Sequence, residues 1–78
     1  MKVFTKGMQT LMTYFDSTPK EEKVQIYYDV LKLDYTDEEF EKTIVLVMKN
    51  VKISFIGYFP SIADFYNQNR QINGHPPR

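Results

Sequence analysis

Apolar side chains recur at helical spacing along most of this chain, and prolines and small polar residues mark where each run breaks. Phe4, Met8, Leu11, Met12 and Phe15 fall on one face of a helix over residues 3–15, with Lys2, Lys6, Gln9 and Thr13 off that face. Gly7 weakens this helix. Asp16-Ser17-Thr18-Pro19 then reads as a stop followed by a start. Thr18 is the expected N-cap, Pro19 suits the first helical position, and Glu21 stands where a capping box needs it. A second helix is expected over 19–33, with Val24, Tyr27, Tyr28 and Leu31 as its stripe and Ile26, Val30 and Leu33 widening it. Thr36-Asp37-Glu38-Glu39 repeats the capping-box pattern, and its acids suit the positive end of the helix dipole. A third helix follows from 37 to about 51. Phe40, Ile44, Val47, Met48 and Val51 form its inner stripe, and Val45 and Leu46 suggest apolar cover on a second side.

The stretch Lys52-Ile53-Ser54-Phe55-Ile56-Gly57-Tyr58-Phe59-Pro60 has no helical period. A lone strand would lack a partner in this chain, so the reading is an extended, buried linker that Gly57 allows to turn. Its apolar residues cannot all point inward from so short a segment. Either helices sandwich it, or part of it shows an apolar patch to a partner. Pro60 is a hard stop, and Ser61 with Asp64 forms a third capping box ahead of a fourth helix over about 62–70, with Ile62 and Phe65 inward. Residues 71–78 read as a frayed tail. The expected fold is all-α: a small four-helix domain over residues 1–70, with short loops and an extended linker before the last helix.

Composition narrows the function classes. A chain of 78 residues is one domain with a thin core, and its six Phe and six Tyr partly compensate because each buries a large area. It has no cysteine, which excludes disulfides, a thiol nucleophile and Cys-ligated metal. That usage fits a cytoplasmic protein. Ten basic and ten acidic residues cancel, so tight nucleic-acid binding is not expected. No apolar run is long enough to span a membrane, and the interrupted N-terminus does not read as a signal peptide.

No constellation for chemistry emerges, so an enzyme, a metal site and a cofactor are not expected. The cluster Asp34, Asp37, Glu38, Glu39 and Glu41 lacks the alternating oxygens and glycine of a calcium loop and reads as a capped helix start. Glu38 and Glu39 nevertheless offer a face for a basic partner. His75, the single histidine, lies in the tail without convergent ligands. Tyr27, Tyr28, Tyr35, Tyr58 and Tyr66 read as core packing with hydroxyls at the surface, because base-stacking aromatics come with a basic groove. Lys49, Lys52 and Arg70 form a small basic group around the linker, sufficient for a peptide contact. The expected partner-binding residues are Phe55, Ile56, Tyr58 and Phe59 with Lys52 and Arg70, and Glu38 and Glu39 on the acidic face.

Tyr27-Tyr28-Asp29-Val30-Leu31-Lys32, then Asp34-Tyr35, then Glu39-Phe40-Glu41, and finally Phe59-Pro60-Ser61-Ile62-Ala63-Asp64-Phe65 together resemble the helicase loader/inhibitor proteins of Bacillus-type phages. That family shows an aromatic pair before a leucine and, later, a segment of the type Pro-Pro-Thr-Ile-Ala-Glu-Ile. The resemblance covers residues 1 to about 70. Thr43 departs from it, standing where a small alanine usually packs. So does the end at Arg78, since family members usually carry a longer flexible C-terminal tail that engages the helicase. The resemblance implies a non-catalytic adaptor in the host bacterial cytoplasm; the apolar Ile53–Phe59 segment leaves open a monomer or a weak dimer. Its partner would be a hexameric replicative helicase, or the loading or initiator protein that works with it. The alternatives are a small phage-encoded inhibitor of another host protein and, less favoured by charge, a direct nucleic-acid binder.

Overall fold

The computed structural model describes residues 2–73, with side chains as far as Gln68. The described chain is all-α, with helices α1 (Phe4–Phe15), α2 (Glu21–Leu31), α3 (Asp37–Asn50) and α4 (Ile62–Asn73). α4 runs three residues past its expected end, because Gln71, Ile72 and Asn73 continue it. Residues 74–78, including His75, lie outside the described residues.

α3 is the central element and packs against both α1 and α4. Its stripe of Phe40, Ile44 and Val47 meets Phe4, Met8, Leu11 and Phe15 of α1, Tyr27 and Leu31 of α2, and Phe65 of α4 in one core. Phe40 and Phe65 stack at 6.1 Å, and Phe4 packs on Phe40 at 5.5 Å. Gly7 has a packing role. A Cβ there would lie 2.6 Å from Phe40 Cε2 and 3.0 Å from Ile44 Cγ1, so the bare backbone is what lets α1 approach α3. Thr43 is fully buried on the same stripe and satisfies its hydroxyl by donating to the Glu39 carbonyl at 2.8 Å. Leu46 is half-buried, whereas Val45 is exposed, so the second apolar side of α3 is only partly covered.

Two capping boxes form as expected. Glu39 N–H donates to Thr36 Oγ1 at 3.2 Å while Thr36 N–H donates to Glu39 Oε1 at 2.9 Å. Ser61 and Asp64 make the same exchange ahead of α4. The box expected at Thr18 does not form. The N-cap of α2 is Lys20, in extended conformation and without a side-chain hydrogen bond, so Pro19 precedes the cap instead of opening the helix. Glu21 and Glu22 in the first turn supply negative charge at the helix N-terminus instead. The helix is shorter than 19–33, and Ile26 and Leu33, expected to widen its stripe, are exposed. α1 ends on Asp16 in the left-handed conformation, with Ser17 N–H reaching back to the Met12 carbonyl at 3.1 Å.

Candidate functional site

The linker between α3 and α4 changes character along its length. α3 closes with Val51 N–H on the Val47 carbonyl, and the backbone leaves in extended conformation. Phe55 to Tyr58 then make a turn closed by Tyr58 N–H on the Phe55 carbonyl at 3.1 Å. Gly57, third in that turn, has φ 86°, a conformation glycine adopts without penalty. Ile56 occupies the corner and is fully exposed (101%), Phe55 is 64% exposed and Ile53 54%. The expectation of a buried linker therefore fails for residues 53–57, where the open geometry of the turn leaves the side chains in solvent.

Beyond the turn the chain dives into the core. Tyr58 is half-buried, edge-on to Phe55 at 5.4 Å and to Phe15 at 6.1 Å. Phe59 is buried against Phe15 and Tyr27, and Pro60 is fully buried. Phe59 is thus a core residue and not part of an exposed binding face, which corrects its assignment as a partner contact. The turn is held from two sides. Ser17 donates its hydroxyl to the Gly57 carbonyl at 2.8 Å, tying the turn to the α1–α2 connection. Tyr58 donates to Asp64 Oδ2 at 2.6 Å, the same oxygen that receives Ser61 N–H at 2.9 Å.

The tyrosine hydroxyls are not all at the surface, as the sequence suggested. Tyr27 and Tyr35 are buried and donate to the carbonyls of Pro60 at 2.7 Å and Phe65 at 2.9 Å. Tyr66 donates to Asp34 Oδ2 at 2.6 Å. The Asp64 carboxylate, followed by burial, pushes the Tyr58 phenol up to about 12. Burial, followed by the bond to Asp34, raises Tyr66 to about 12. Burial also raises Tyr27 and Tyr35. These phenols therefore stay protonated at neutral pH and serve as hydrogen-bond donors, not as acids or bases.

The charged candidates separate into two groups. On the acidic face, Glu38 pairs with Lys42 at 3.1 Å, Asp37 accepts the Lys2 N–H at 3.2 Å, and Glu39 is spent in the α3 cap. One oxygen of the Glu39 carboxylate is thus engaged in the cap of its own helix. Lys49, in the last turn of α3, and Lys52, at the start of the linker, are both exposed, and neither forms an ion pair among the described residues. The Arg70 side chain lies outside the described residues. The structure thus brings Phe55, Ile56 and Lys52 together in one segment with half-buried Tyr58 behind them, and leaves Glu38 apart on α3. Ile53 belongs with the exposed group, and Ser17 holds the turn in place. No local sequence pattern marks Ser17 for that contact. Among the described residues no three potential metal ligands cluster, and no helix is long and apolar enough to cross a membrane. No protein-family model, curated protein or solved structure matches the chain.

Proposed function

We propose that this protein is a phage replication adaptor that binds a hexameric replicative helicase, or the protein that loads it, through protein–protein contacts and without chemistry of its own. One observation carries this reading: Phe55 and Ile56 stand in solvent at the corner of a turn whose neighbours Phe59 and Pro60 are locked into the core. Leaving two large apolar side chains in water at a fixed turn forgoes the burial that a folding chain otherwise gains. The resemblance supports the same reading from a different set of residues. Tyr27, Leu31, Tyr35, Phe40, Phe59, Pro60 and Phe65, which lie within the matched segments, are all buried in the frame that presents the turn.

An adaptor of this kind acts by binding one state of the ring more tightly than another, and it changes helicase activity only to the extent of that difference. Co-elution with the purified hexameric replicative helicase of a Bacillus host, together with a changed unwinding rate at saturating adaptor, is the expected result. Absence of both at low ionic strength overturns the reading.

A further inference from the structure

We infer that the Ile53–Ile56 tip is an anchor for a pocket on the partner protein with an apolar floor and a carboxylate rim. This rests on the adaptor reading above. The tip supplies the apolar part, since Ile53, Phe55 and Ile56 are all more than half exposed. Lys49 and Lys52 precede it in the chain, are exposed, and have no ion-pair partner among the described residues. An apolar tip that follows directly on a segment with two uncommitted ammonium groups is complementary to an apolar slot bordered by acids.

The same lysines select this occupant over a second copy of the chain, because a symmetric tip-to-tip contact would bring a like set of ammonium groups together. The charge selects against a lipid surface. The chain has a net charge of zero, and two lysines give little attraction to anionic headgroups. The C-terminal side of the tip is anchored: Ser17 holds Gly57 and Asp64 holds Tyr58, so this end of the turn has less ordering entropy to lose on docking.

The test is direct binding of the full chain to the same purified helicase hexamer by calorimetry or anisotropy. Phe55→Ala with Ile56→Ala is expected to weaken binding at least about tenfold, as for central anchors. Lys49→Glu with Lys52→Glu is expected to weaken it by a similar factor, and raising salt from about 50 to about 500 mM should weaken the wild type but not that variant. Leu33→Ala, an exposed apolar residue outside the tip, is the control and should bind as wild type. All substituted side chains are exposed, so unchanged thermal midpoints verify that the variants fold.

Wild-type binding that both double variants retain overturns the anchor and leaves the adaptor reading with another face. Sensitivity to the apolar pair without sensitivity to salt or charge reversal overturns the carboxylate rim. No wild-type binding overturns anchor and adaptor together. Tip-dependent binding to vesicles of anionic phospholipid, or tip-dependent dimerisation in sedimentation, overturns the protein pocket in favour of that occupant.

Discussion

Two glycines in this chain answer to different physics, and substitution separates them. Gly7 lies inside α1, where alanine is intrinsically favoured by about 1 kcal/mol. Yet the added Cβ would meet Phe40 Cε2 at 2.6 Å, and that ring is fully buried. Gly7→Ala is therefore expected to destabilise by about 1–3 kcal/mol, the usual cost of overpacking, despite its better helix propensity. Urea denaturation measures this, and an increase in stability would show that the core yields more easily than its packing suggests. At Gly57 an added Cβ would meet nothing within 4 Å, but the backbone φ there is 86°. Gly57→Ala is expected to cost about 1–2 kcal/mol through backbone strain alone. The sequence singled out both positions. It showed Gly7 only as a weakness in the helix, because the reason for it lies on α3, far along the chain.

At the level of the elements, the capping boxes expected at Thr18, Thr36 and Ser61 close only at the last two. Thr18→Ala should therefore change stability by no more than about 0.5 kcal/mol. Asp64→Ala should cost about 1–2 kcal/mol, since it removes the acceptor of both Ser61 N–H and the Tyr58 hydroxyl and the only acid in the first turn of α4. Thermal unfolding of the two variants side by side checks the contrast. The helices themselves were legible because each carries a stripe at the helical period, and α1 and α3 match their expected spans within a residue or so. The linker was not. Residues 53–59 have no period to say which side chains turn inward, and the bond that fixes their path joins Ser17 to Gly57, forty residues apart. Apolar excess alone therefore marks Phe55, Ile56 and Phe59 alike, although the core claims Phe59.

On the scale of the whole molecule, four tyrosine hydroxyls tie segments together: Tyr27 to Pro60, Tyr35 to Phe65, Tyr58 to Asp64 and Tyr66 to Asp34. Three of these bonds fasten the linker end and α4 to α2 and the connection that follows it. Each of these phenols is raised above the ordinary value near 10, so the folded state holds its protons more tightly than the unfolded state does. Their contribution to stability is complete below about pH 10 and declines as pH rises toward about 12, because deprotonation is favoured in the unfolded chain first. Denaturation midpoints should therefore hold steady from pH 8 to about 9.5 and fall above that, and Tyr66→Phe should blunt the fall. A midpoint independent of pH up to 12 would contradict the assignment. These bonds also have an optical consequence. The chain has six tyrosines and no tryptophan, so its ultraviolet emission comes from phenols alone. A phenol bonded to a carboxylate or a peptide carbonyl emits weakly, and release into water restores its emission. Detachment of α4 should therefore brighten the protein, which gives its opening a built-in fluorescent signal that needs no label.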